Sequence, residues 1–103
     1  MSKPETKLVH KITEELGKQF PGSYFRKIYG SPFQHAGMTD LIGCVEGFFV
    51  ALEVKTTEGR LSEIQKLEGM SIIRAKGIYG VVTSPEEAIE VINLGINSIK
   101  GKI

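Results

Sequence analysis

Asp40 is the only aspartate among 103 residues, so any chemistry that needs paired carboxylates must recruit a glutamate. Cysteine is as scarce. Cys44 stands alone, which excludes an internal disulfide and suits a reducing interior. No apolar run approaches the roughly 18 residues that a membrane span requires, and Met1 to Glu5 contain nothing like the apolar core of a signal peptide. These absences lead us to expect a cytoplasmic protein. Neither sign of charge dominates. Thirteen Lys and Arg nearly cancel twelve Asp and Glu, for a formal charge of +1. A nucleic-acid surface could therefore come only from uneven placement of charge. No internal repeat, low-complexity tract or linker interrupts the chain, and no P-loop, dinucleotide fingerprint or nucleophile elbow is present.

What is present fits one globular domain over residues 1–103, with 41% hydrophobic and 24% charged residues. Leu8, Val9, Ile12 and Leu16 recur at helical spacing and predict a helix from about Lys3 to Gln19, ended by Phe20-Pro21-Gly22. The aromatic-rich segment Ser23 to Tyr29 predicts a strand, followed by a loop from Gly30 to Met38. A second helix is expected after Ser62, ending at Gly77, and a β-branched strand from Ile78 to Thr83. Ser84-Pro85-Glu86-Glu87 supplies an N-cap, a proline in the first turn and early acids, so a third helix starts there and is expected to end near Gly95. The order α-β-β-β-α-β-α implies an α/β fold with helices on the faces of a sheet.

The informative segment lies between the first two helices. Glu46-Gly47 reads as a two-residue turn joining Asp40–Val45 to Phe48–Lys55. In that register Val45 faces Phe48, Ile42 faces Ala51, and Asp40 faces Glu53. Opposed residues share a sheet face with Cβ atoms roughly 4.5–5.5 Å apart, where like charges repel. Strand alternation puts Lys55 on the same face. A hard divalent cation with oxygen ligands resolves the repulsion. The remainder of both hairpin faces is apolar, which predicts covering layers above and below.

Metal-assisted phosphodiester cleavage needs carboxylates to hold the ion, a water beside it and positive charge for the transition state. Asp40 and Glu53 can supply the first, with the Val54 carbonyl as a further oxygen. Lys55 can hold the water or offset phosphate charge, and Gln65 can hydrogen-bond either. Arg26, Lys27, Arg60 and Lys66 are candidate phosphate contacts. Plainer readings compete with each assignment. Glu-X-Lys on a strand is commonly a solvent-exposed ion pair. Gln65 completes a capping box with Ser62, and Glu5 does the same with Ser2. The four basic residues can simply be solvated, and His35 can be a surface histidine. A zinc site from His10, His35 and Cys44 has no supporting ligand spacing.

Taken in order, Glu5, Gly37-Met38-Thr39-Asp40, Glu53-Val54-Lys55 and Leu61-Ser62-Glu63-Ile64-Gln65 resemble the VRR-NUC family, a branch of the PD-(D/E)XK nuclease superfamily. The resemblance covers about Glu5 to Val91. Tyr29-Gly30-Ser31-Pro32-Phe33 and Asp40-Leu41-Ile42-Gly43 are similar to small stand-alone members from phages and bacteria, which implies a bacterial or phage-infected cytoplasm. The resemblance implies a restriction-endonuclease-like αβββαβ core, with a central mixed sheet flanked by helices, and use of Mg²⁺ or Mn²⁺. By it, Asp40 and Glu53 are metal ligands, Lys55 the catalytic lysine, Glu5 the first-helix acid and Gln65 the glutamine that follows the core motif. One departure is Thr39, where the family usually has proline. The small size implies a homodimeric, structure-selective DNA endonuclease similar to Holliday-junction resolvases, two copies presenting two sites to two strands. The competing expectations are a non-cleaving nucleic-acid-binding module that keeps the fold, and an unrelated α/β domain with Asp40 and Glu53 on its surface.

Overall fold

The computed structural model describes residues 4–28, 37–56 and 60–101. Its elements run α1 (Pro4–Gln19), β1 (Tyr24–Lys27), β2 (Leu41–Val45), β3 (Phe48–Val54), α2 (Glu63–Arg74), β4 (Ile78–Val82) and α3 (Pro85–Lys100). This is the expected order. The four strands form one mixed sheet in the order β1-β2-β3-β4, antiparallel except for the parallel β3–β4 pair. The predicted loop region of Tyr29–Phe33 and His35, the Ser2 half of the first capping box and Gly59 lie outside the described residues.

The hairpin forms in the expected register, with Val45 paired to Phe48, Ile42 to Ala51 and Leu41 to Leu52. Its turn residues Glu46 and Gly47 both take positive φ, 52° and 86°. Two left-handed residues in a row match the right-handed twist of the flanking strands, so the turn fixes the pairing. The ladder stops at Leu41. Asp40 lies one residue before β2, where its carbonyl accepts a hydrogen bond from the Ile28 N–H at 2.8 Å.

One face of the sheet carries the core. Leu41, Val45, Val50, Leu52, Val54 and Val82 project toward α1 and α3 and are buried against Val9, Ile12 and Leu16 of α1 and Ala88, Ile92 and Ile96 of α3. The apolar positions of both helices recur every three to four residues, which places them on the covered side.

Two expectations are corrected here. The third helix does not stop near Gly95; it continues to Lys100. A Cβ at Gly95 would come within 2.8 Å of the Ile78 side chain, so the glycine lets α3 lie close to β4 and is not a terminator. The hairpin is also not covered on both faces. The second face is packed by α2 only on the β4 side, leaving Cys44 exposed and Phe49 47% exposed. The cause is α2 itself, which buries only Gly69 and leaves Ile64, Leu67, Met70 and Ile73 exposed. That helix also ends slightly early, at Arg74, and the left-handed position after it is taken by Lys76 at φ 73° rather than by Gly77.

Candidate active site

The partly open face assembles the chemistry. Strand alternation and the observed pairing place Arg26, Ile42, Ala51 and Tyr79 in one row across the sheet. The next row holds Glu53 and Val81, with Asp40 at its flank. Lys55 follows immediately after β3, and its backbone N–H continues the pairing by donating to the Val82 carbonyl at 3.0 Å.

Asp40 is anchored across the hairpin, its Oδ2 accepting from the Val54 N–H at 2.8 Å. Glu53 is 1% exposed. Its Oε1 accepts from Gln65 Nε2 at 3.3 Å and lies 3.9 Å from Lys55 Nζ. The Lys55 side chain is itself only 15% exposed. This is no solvated surface pair, so the plain reading of Glu-X-Lys fails on burial.

Gln65 performs two tasks with one amide. Its Oε1 accepts from the Ser62 N–H at 2.9 Å, and its N–H donates to Ser62 Oγ at 3.2 Å, closing the capping box that starts α2. Its Nε2 is thereby aimed at Glu53. The cap fixes the side-chain orientation that the contact to Glu53 uses, so the structural and functional readings are compatible.

The Glu53 carboxyl is pushed up to about 8, by burial first and then by the neighbouring Asp40 carboxylate. Lys55 opposes the rise, and Glu5 in the first turn of α1 adds a smaller push. The structure thus brings Glu5, Asp40, Glu53, Lys55 and Gln65 into one electrostatic neighbourhood.

The basic residues divide. Arg26 lies on the site face, its guanidinium 4.4 Å from the Tyr24 ring centroid and donating to the Phe25 carbonyl at 2.7 Å. Arg60 and Lys66 are exposed at the start of α2, Lys66 paired with Glu63 at 3.2 Å. Lys27 pairs with Leu41 and therefore alternates to the opposite face of the sheet, away from the acids. On the zinc alternative, His10 and Cys44 are both exposed, and His35 lies outside the described residues.

Whether the acids fit a divalent ion is decided by an orphaned atom. Glu53 Oε2 is buried and has no partner in hydrogen-bond geometry, a costly condition for a carboxylate oxygen. Among the described residues no three His, Cys, Asp or Glu converge, so the side-chain donors available to an ion are a carboxylate pair. Mg²⁺ typically keeps several waters and takes one or two carboxylates. The residues fit.

Three further buried hydroxyls among the described residues lack partners: Ser23 Oγ before β1, Thr39 Oγ1, adjacent to Asp40 in sequence, and Tyr79, on the strand beside Glu53. Sequence reasoning missed Tyr79. Its place depends on the register of the parallel β3–β4 pair, which a crossover through α2 sets and no turn announces.

Among the described residues, no helix is long and apolar enough to cross a membrane. No protein-family model matches the sequence, and no curated protein matches it. A search of solved structures does find likeness. One of the matches is a VRR_NUC domain, superposing with a TM-score of 0.65 at 19% sequence identity over 89% of this chain and 97% of the other. At that identity the likeness speaks for architecture. The chain has the fold of a VRR-NUC domain, a mixed sheet flanked by helices.

Proposed function

We propose that the chain acts as a single metal-dependent nuclease domain over residues 1–103, hydrolysing phosphodiester bonds in DNA with Mg²⁺ or Mn²⁺. The observation that carries this reading is the buried Glu53 carboxyl, facing Asp40 with Oε2 unpartnered and Lys55 alongside. A binding surface for phosphate gains nothing from an acid pair, which repels it. The likeness to a VRR_NUC domain supports the same reading and a nucleic-acid substrate.

Asp40 and Glu53 would hold the ion, with the Val54 carbonyl as a further oxygen. When bound, the ion lowers the pKa of a water and offsets charge on the phosphate. The protein does the rest. The Val54 N–H fixes Asp40, and the Gln65 amide orients Glu53 from the opposite side. Lys55 places an ammonium where charge develops on the phosphoryl oxygens and can donate a hydrogen bond there. Glu5 adds negative charge that favours a cation in the cluster. Arg26, Arg60 and Lys66 contact flanking phosphates.

We further propose a homodimer with preference for branched DNA, in the manner of a Holliday-junction resolvase. Two copies would present two such sites to two strands. The exposed Ile64, Leu67, Met70 and Ile73 of α2 give a second copy an apolar surface to bury.

The test incubates the protein with linear duplex, flap and four-way junction DNA in Mg²⁺, Mn²⁺ or EDTA. Metal-dependent cutting, strongest on the junction and abolished in Lys55→Ala, is expected. Binding without cutting in every metal would replace the proposal with that of a non-cleaving module. Sedimentation showing only monomer at working concentrations would remove the dimer.

A further inference from the structure

Tyr79 lies on β4 opposite Ala51, two residues before Glu53 on the adjacent strand, and the pairing puts both side chains on the α2 side of the sheet. The ring is held flat against α2 at Gly69. A Cβ there would come within 2.4 Å of the ring carbons, so only glycine admits the tyrosine. Gly69 follows Gln65 by four residues and so shares its helix face. The face that aims the Gln65 amide at Glu53 therefore also clamps Tyr79. Two buried atoms on this side of the sheet lack a hydrogen-bond partner, the Tyr79 hydroxyl and Glu53 Oε2. One is a donor and the other an acceptor.

A buried hydroxyl without a partner is a liability that phenylalanine would avoid. Burial raises the Tyr79 pKa, and the Glu53 and Asp40 charges add to the rise, so the hydroxyl remains a proton donor. No direct hydrogen bond joins the two atoms, and buried polar groups left so are commonly completed by an ordered water. We propose that Tyr79 is a positioning residue for Glu53, its hydroxyl holding the second carboxylate oxygen through a shared buried water. Oε1 is steered by Gln65 and Lys55, and Oε2 by Tyr79. Support of this kind around a ligating carboxylate typically changes metal affinity by about 10–100-fold. That consequence rests on the nuclease reading, whereas the Tyr79–Glu53 coupling does not.

The test is a double-mutant cycle in metal-free protein, using urea unfolding of the parent, Tyr79→Phe, Glu53→Leu and the double variant. It is accompanied by calorimetric titration of Ca²⁺ into parent and Tyr79→Phe. The cycle should be non-additive by about fivefold or more in the unfolding equilibrium constant, since the hydroxyl matters only while Glu53 is present. Ca²⁺ should bind Tyr79→Phe about tenfold more weakly than the parent, a change that loss of packing alone does not produce. If Glu53→Leu does not fold, the same cycle is run with Glu53→Ala. Additivity within twofold, or a Tyr79→Phe that is simply more stable in both backgrounds, overturns the proposal. So does Ca²⁺ affinity in Tyr79→Phe equal to that of a parent that binds it. A parent that binds no Ca²⁺ while the cycle remains coupled supports the role of Tyr79 and sinks the nuclease reading instead.

Discussion

On the face covered by α1 and α3, the sheet presents Leu41, Val45, Val50, Leu52, Val54 and Val82, all fully buried among aliphatic side chains. On the opposite face the same strands carry a buried glutamate, a flanking aspartate and a lysine, with the partnerless buried hydroxyl of Tyr79 on the adjacent strand. The first face is apolar and closely packed, as a core requires. The second violates those requirements within a few ångströms, at the rim where α2 crosses only part of the sheet. Proteins keep such violations where they are used. The two faces share strands, register and turn, so the contrast locates function on one side and stability on the other.

That division can be broken most forcefully at the acids. Asp40→Asn and Glu53→Gln should each lower cleavage by at least about 10²–10³-fold, the scale of losing a principal electrostatic contact to the transition state, while circular dichroism stays unchanged. Retained cutting by Asp40→Asn would dissolve the ligand pair. The mirror experiment is Leu52→Ala on the covered face. It should cost about 2–5 kcal/mol of stability by denaturant unfolding, with cleavage per folded molecule preserved at low temperature. Cleavage lost in folded Leu52→Ala would mean that the two faces are not separable in this way.

A third effect is set by acid–base linkage. The Glu53 carboxyl sits at about 8 in the fold, above its ordinary 4.5. Its contribution to stability is therefore fully present below about pH 4.5 and is lost as pH rises through about 8, because the fold must then accommodate the charge. Metal-free protein should lose stability over this window by at most about 1.4 kcal/mol per pH unit, and Glu53→Gln should flatten that part of the profile. Divalent metal should restore stability at the alkaline end, and its affinity should climb with pH as the proton it displaces becomes easier to remove. A pH–stability curve identical for parent and Glu53→Gln would contradict the shift.

The smallest effects distinguish neighbouring basic residues. Arg26 shares the acids' face and Lys27 alternates away from it. Arg26→Ala should weaken DNA binding and reduce the salt slope by about one, whereas Lys27→Ala should leave both unchanged. Equal effects would indicate that DNA wraps the β1 edge.

Much of this was legible in the sequence where a local rule dictates the geometry. Glu46-Gly47 admits a two-residue turn, the turn sets the hairpin register, and the register brings Glu53 toward Asp40. Ser62 and Gln65 announced a cap and delivered one. The misses share a different cause. Gly95 reads as a helix terminator because its spacing signals an end, whereas its purpose is the approach of α3 to Ile78, a tertiary fact. Tyr79 escaped because parallel register is set through a helix. The open part of the second face escaped because apolar alternation along the hairpin cannot reveal that α2 packs mainly over β4. The placement of Lys27 was within reach, since strand alternation alone separates it from Arg26.

The most direct test of the central claim is a crystal structure of the protein grown with Mn²⁺, with the ion located by its anomalous signal. The account predicts a peak between the Asp40 and Glu53 carboxylates, with Glu53 Oε2 among its ligands and Lys55 beside it. A map with Mn²⁺ bound elsewhere, or with the two carboxylates turned apart in protein that still cleaves DNA, would contradict it.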